Sequence, residues 1–282
     1  VKSGDICLFD TVIPAAARLP AFIRATGGVR LDFAAVGPRT QAMRIAESGG
    51  YRARFPRGDE CEAVLINTGG GMAGGDRLAI DISLATGAEA VVTTQAAEKI
   101  YRAQDLPTTI SVSLDLAPES RLAWLPQETI LFDGAAVERR LSVDMAGSAS
   151  LTLAETVFFG RSAMGESLLS GTFRDRWSIR RNGRLIWEER VHLADQIAAT
   201  LARPAIGRGA RAVATVLHIT PDAEGRLEEA RALLETVGSE CGASAWDGLL
   251  VLRFLAQDAA VLRRDLVRFL EGFRTRPMPR SW

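Results

Sequence analysis

Residues 65–78 read LINTGGGMAGGDRL, and Gly69, Gly71 and Gly74 satisfy the G-x-G-x-x-G spacing of a dinucleotide-binding turn. That turn works because its last glycine opens an α-helix, whose free amides and dipole hold a pyrophosphate. The preceding CEAVLIN reads as a strand, which fits. The residues that follow also read as a strand: Leu78, Ile80, Ile82 and Leu84 fall on one face, Asp81 and Ser83 on the other. A strand there supplies no helix dipole, and no Lys-Ser/Thr pair follows to make a P-loop. Gly69, Gly70, Gly71, Gly74 and Gly75 therefore read as structural, allowing a sharp crossing between strands or the close approach of another backbone. A dinucleotide-dependent oxidoreductase using this turn is one alternative function. A non-catalytic β-sandwich binding module is another.

Acidic residues carry the other candidate chemistry. In LTLAETVFFG, Glu155 shares the parity of Leu151, Leu153, Val157 and Phe159, so it is expected to face the apolar side. In RLAWLPQETILF, Glu128 shares the parity of Leu122, Trp124, Ile130 and Phe132, although Pro126 can break that register. Asp81, Asp115 and Asp144 fall on the polar parity. A buried carboxylate either finds a cation or stays protonated. One reading is an internal ion pair, since 32 of the 34 basic residues are arginine. Lys99, one of two lysines, stands with Tyr101 and Arg102, where a compact ammonium can serve in place of a planar fork. Cys7, Cys61 and Cys241 form no C-x-x-C pair, and His192 and His218 lie in apparent strands, so no dedicated metal cage is indicated.

The elements that must position these groups are mostly strands. From residue 28 to 192 alternating segments recur about every ten residues, and Asn182-Gly183 suits a type I′ hairpin. After residue 208 the pattern becomes a strand, a helix stopping at Gly238, a hairpin around Asp247-Gly248, and a helix capped by Asp258 and ending at Gly272. The fold class expected is mainly β, with stacked or layered antiparallel and mixed sheets and about two α-helices in the C-terminal part. The divisions expected are an extension of unassigned role at 1–26, a β-rich body at 27–207, and a β-α-β-β-α subdomain at 208–282 packed on it. With 47 % apolar residues and no net charge the chain reads as globular, and it lacks the cationic excess that nucleic acid calls for. Asp5, Asp10 and Pro14 interrupt the N-terminal apolar residues, while Arg253 and Asp258 break the most apolar segment. A cytoplasmic protein with no membrane span is expected.

Five stretches in order resemble one family. LINTGGGMAGGDRL is similar to the Asn/Pro-x-Gly-Gly-x-x-x-Gly-Asp element of the UreD (UreH) family of urease accessory proteins. VTTQAAEKIYRA resembles its Thr-Thr-Gln-Ala-Ala-x-Lys-x-Tyr-Arg segment, and LAWLPQETILFDGA its Trp-Leu-Pro-Gln-Glu-Thr-Ile-x-Phe element. ETVFFGRSAMGE resembles its Gly-Arg-x-x-x-Gly-Glu loop, and PMPRSW its closing Pro-Arg-x-Trp. The resemblance runs from about residue 27 onward. It implies a β-rich protein without catalysis that binds apo-urease and, through UreF, the GTPase UreG. It also implies help in delivering Ni²⁺ to the buried urease site, through an internal passage, with no tightly bound cofactor and nickel(II) held transiently. Asp76, Glu128, Glu155 and Glu166 are then the expected lining of a wet acidic conduit. Oxygen ligands hold Ni²⁺ less firmly than imidazole or thiolate, and passage needs release. Asp76, Glu128 and Glu166 lie in matched stretches, whereas Glu155 rests on side-chain parity.

Overall fold

The computed structural model describes residues 24–161 and 165–282. Most of the expected extension, residues 1–23, lies outside them, as do Cys7 and residues 162–164. Two mixed sheets stack face to face, and the chain winds between them. A hairpin of β1 (Thr26–Val36) and β2 (Arg39–Ser48) starts the first sheet; one of β3 (Tyr51–Arg54) and β4 (Glu62–Asn67) starts the second. The chain then alternates between layers. It passes from β5 (Arg77–Leu84) in the first to β6 (Glu89–Thr94) and the short β7 (Glu98–Ile100) in the second. It returns as β8 (Thr108–Leu116), then crosses to β9 (Arg121–Leu125) and β10 (Thr129–Leu131). One more circuit gives β11 (Ala136–Met145), β12 (Ser150–Phe159) and β13 (Thr172–Arg181). Because each circuit runs the same way, β1, β5, β8, β11 and β13 pair in parallel, as do β4, β6, β9 and β12.

The rest of the chain closes the stack. Antiparallel β14 (Arg184–Ala194) edges the first sheet, and α1 (Ile197–Ala202) follows. β15 (Ala212–Ile219) pairs with β12, and after α2 (Leu227–Leu234) the hairpin of β16 (Glu240–Trp246) and β17 (Leu249–Ala256) extends the same sheet. Helix α3 (Ala259–Arg274) ends the regular structure. The expected C-terminal unit is thus continuous with the second sheet, and its helices cover that sheet's outer face.

Two apolar layers result. Between the sheets lie Leu31, Ile82, Leu114, Val143 and Ile179 from one side and Val92, Trp124, Leu153 and Leu217 from the other. Beneath the helices lie Phe254, Leu262, Leu266, Phe269 and Phe273. Full burial of such a side chain contributes about 2–3 kcal/mol. Both expected hairpin turns have positive φ at their two central residues, 51° and 76° at Asn182 and Gly183, 50° and 73° at Asp247 and Gly248, as type I′ requires.

The helix ends depart from the sequence pattern. Helix α2 stops at Leu234, short of Gly238, because the Gly238 and Ser239 amides donate to buried Asp265 of α3, at 2.9 and 2.8 Å. Helix α3 runs through Gly272 to Arg274, and Thr275 adopts the left-handed conformation at its end. Gly272 is a contact residue: a Cβ there would lie 2.8 Å from Leu233 of α2. Asp258 caps α3 as expected, accepting from the Ala260 amide. Short α1 was not legible in the pattern; it carries Ile197 and Leu201 into the interlayer core.

Candidate functional site

The glycine-rich stretch is a crossing from β4 in one sheet to β5 in the other. β5 begins at Arg77, directly after Asp76, so no helix follows the glycines and the dinucleotide turn is overturned. The glycines admit close neighbours. A Cβ on Gly71 would lie 2.6 Å from the Tyr101 ring, and one on Gly74 2.5 Å from the Leu106 carbonyl oxygen. The crossing is stapled to β7 and the residue after it: the Met72 amide donates to Lys99 O at 2.7 Å, and the Tyr101 amide to Met72 O at 2.8 Å. The Tyr101 hydroxyl donates to Gly70 O at 3.1 Å. Asp76 is buried in the crossing and accepts from the Ala25 and Ala73 amides, both at 2.8 Å. Lys99 keeps an exposed side chain.

Four of the family-like stretches meet at this end of the stack. Tyr101 packs edge-on against Phe132, with ring centroids 5.0 Å apart. Arg102 pairs with Asp133 at 2.9 Å. Glu166 accepts from the Asp133 amide at 3.0 Å and pairs with Arg161, whose guanidinium lies 4.4 Å from the Phe132 ring centre. The Asp133 amide, then the Arg161 guanidinium, hold the Glu166 carboxyl below its ordinary range against some loss of hydration. Asp133 is held low chiefly by the Ser170 and Leu169 amides.

Beneath the crossing, between the sheets, lies a cavity with about 90 Å³ of water-accessible space, lined by Tyr51, Asn67, Thr94 and Glu98 among others. A second, of about 60 Å³, shares Leu78, Ile80, Thr94 and Glu98 with it. The Glu98 side chain thus stands where the two meet. It accepts from Asn67 Nδ2 at 2.8 Å. Burial raises its carboxyl from an ordinary 4.5 to about 7; Asn67 and Lys99 oppose that rise and Asp76 adds to it. Burial, then Glu98 and Asp76, likewise push the Tyr51 hydroxyl up.

The second cavity ends on a charged cluster. Arg139 of β11 donates to Glu155 of β12 at 3.0 Å, to Thr129 Oγ1 of β10 at 3.0 Å, and to Asp175 of β13. Trp124 Nε1 donates to Glu155 at 2.8 Å. The three charged side chains are 6–10 % exposed, deep enough for these contacts to escape most solvent screening. Burial works against the Arg139 charge, but Asp175 and Glu155 more than offset it and hold the guanidinium above its ordinary value. Burial raises Glu155 against the opposing pull of Arg139 and the Trp124 hydrogen bond. Asp175 Oδ1 and Arg139 Nε are buried without a partner among the described residues.

Glu155 therefore faces the interlayer space, as its parity predicts, and an internal arginine meets it there. For Glu128 the parity fails. Trp124 faces the interlayer core and Ile130 the helix layer, because the irregular residues around Pro126 invert the register. Glu128 consequently lies on the outer face of the second sheet and pairs with Arg263 of α3. Asp76, Glu128, Glu155 and Glu166 occupy four separate settings. Among the described residues no three His, Cys, Asp or Glu side chains gather to hold a metal. The interior members missed at the sequence level were Arg139 and Asp175. Both share the parity of inward neighbours, Leu141 with Val143 and Phe173 with Trp177, so the same rule would have found them. Glu98 has no such signal, since β7 is only three residues long.

The histidines stand apart. His218, on β15, meets Thr152 Oγ1 at 2.9 Å and the edge of Phe273. Burial, then the Arg226 charge, lower it from 6.5 to about 4, with Asp222 and Glu229 opposing. His192 is exposed. Cys61 and Cys241 are free thiols. No described helix is long and apolar enough to cross a membrane.

A family model described as UreD urease accessory protein matches residues 25–282. The urease accessory protein UreD of Methylobacterium sp. (strain 4-46) is 51 % identical over 267 residues, covering 92 % of this chain and 95 % of the relative. That of Azorhizobium caulinodans is 46 % identical over 261 residues, covering 92 % and 96 %. That of Xanthobacter autotrophicus is 48 % identical over 260 residues, covering 92 % and 90 %.

Proposed function

The chain belongs to the UreD family of urease accessory proteins, and on that premise we propose that it acts as a non-catalytic scaffold in urease maturation. In this reading it binds apo-urease and the UreF/UreG complex in the cytoplasm and helps deliver nickel(II), which it holds only transiently. The observation that carries the delivery role is the largely apolar space between the sheets, into which Glu98, Glu155 and Asp175 bring carboxylates. Oxygen donors in a confined, partly wet space bind a divalent cation weakly enough to let it go. Asp76 and Glu166 belong to the end of the stack where such a passage would open. Glu128, on the far face of the second sheet, is better suited to holding α3 in place.

Co-expression with UreF, UreG and the urease subunits, followed by pull-down and a nickel-dependent urease assay, tests this reading. The wild-type chain is expected to capture UreF and apo-urease and to raise urease activity. The substitution Glu155→Gln keeps a hydrogen-bond acceptor for Trp124 and leaves Arg139 paired with Asp175. It is expected to retain partner capture while lowering activation several-fold. Full activation by that variant ends the passage role of Glu155. A β-sandwich module with another ligand predicts no capture of UreF at all.

A further inference from the structure

We propose that Arg139 is a tethered stand-in for a divalent cation, closing an interlayer metal site whose ligands are Glu155, Asp175 and Thr129. The inference rests on the delivery reading only for the identity of the cargo.

Three oxygen-bearing side chains converge on one point from both sheets. Glu155 and Thr129 come from the second sheet and Asp175 from the first, and each accepts a hydrogen bond from the same guanidinium. The cluster sets two carboxylates against one guanidinium, whose single charge can balance only one of them. Asp175 lines the second cavity, and its Oδ1, on a side chain only 6 % exposed, is buried with no partner among the described residues, as is Arg139 Nε. A buried carboxylate oxygen in that condition is costly. A divalent cation would neutralise both carboxylates, which a single guanidinium does not. Carboxylate and hydroxyl oxygens form a set that accepts hard and borderline divalent ions without discriminating strongly among them.

Arg139 also stands at a boundary. Its side chain lines the second cavity, between the sheets, while its strand borders a groove of about 380 Å³ on the solvent face of the first sheet, beside Arg77, Ser111 and Glu138. The long, flexible side chain can withdraw from the carboxylates only within the interlayer space, toward the second cavity. Exchange then replaces one positive charge by two, enough to balance both carboxylates. In this way the interior stays closed until a cation arrives that can substitute for the guanidinium.

The test is equilibrium dialysis of the purified full chain against nickel chloride, with thermal melting in the presence and absence of nickel. Arg139→Met is expected to bind one Ni²⁺ per chain at least tenfold more tightly than wild type and to melt higher with nickel than without. The triple substitution Arg139→Met, Glu155→Gln, Asp175→Asn, with no buried charge left in the cluster, is expected to lose both effects. Arg139→Met that folds only with nickel present supports the proposal equally. The proposal is overturned if Arg139→Met binds no more nickel than wild type, if the triple variant binds as much, or if Arg139→Met stays unfolded with nickel while the triple variant folds. Pull-down of UreF and apo-urease by the wild-type chain separates the two ideas. Capture without a nickel gain in Arg139→Met overturns the gate alone, whereas failure to capture either partner removes the reading beneath it.

Discussion

Burial disfavours the charged form of both Glu98 and His218, with opposite consequences for how stability depends on pH. The Glu98 carboxyl is raised from 4.5 to about 7, so the folded chain holds a proton that the unfolded chain has released. Its contribution is full below pH 4.5 and is lost as pH rises through 7. The His218 imidazole is lowered from 6.5 to about 4, so between those values the unfolded chain takes a proton that the folded one refuses. Its contribution is full above pH 6.5 and is lost as pH falls through 4. Each dependence amounts to about 3 kcal/mol across its window, and in the wild type they largely cancel between pH 4.5 and 6.5. Denaturant titrations at several pH values should expose them singly. Glu98→Gln is expected to lose stability on acidification from pH 7 to 5, and His218→Gln to gain it; parallel profiles for the two variants would contradict both assignments. Side-chain parity marked Glu155 as inward, but that pattern could not say which of 32 arginines would meet it. That information lies in Arg139 and Asp175 standing opposite each other on adjacent parallel strands, a register that no local pattern encodes.

At the scale of elements, the two acidic residues that organise α3 do so at different depths. Asp258 accepts from one exposed amide at the helix start, and its replacement by alanine is expected to cost about 1 kcal/mol. Asp265 is 3 % exposed and accepts from two backbone amides that end α2. Replacing Asp265 with alanine orphans both donors and is expected to cost about 2–5 kcal/mol, read as the midpoint of chemical unfolding. Equal costs would mean that the buried carboxylate is not what fixes the α2–α3 corner. The Asn182-Gly183 and Asp247-Gly248 turns were legible because each demands a backbone conformation that few residues tolerate. Gly238 and Gly272 misled for the complementary reason. One is pinned by a carboxylate of another helix and the other is a packing contact, and both facts belong to tertiary structure.

For the molecule as a whole, alternation revealed layers but not their pairing. A strand with one buried face looks the same whether its neighbour runs with it or against it, so the parallel winding of β5 to β13 was not readable. The expected division near residue 208 meets a similar limit: β15 pairs with β12 along eight residues, and the sheet crosses that point without interruption. Unfolding is therefore expected to be a single transition. Helical ellipticity, contributed mainly by α2 and α3, and tryptophan fluorescence, contributed in part by Trp124 and Trp177 of the body, should give one midpoint. Two separated midpoints would mean that the C-terminal unit packed on the body unfolds by itself. The winding has a last mechanical consequence. Two separate sheets can part along their seam like the covers of a book. Here covalent thread crosses the seam at every circuit, as a spring's wire joins its two sides. Cargo carried in the proposed passage would therefore travel lengthwise between walls of nearly fixed spacing, which only side chains are free to widen or shut.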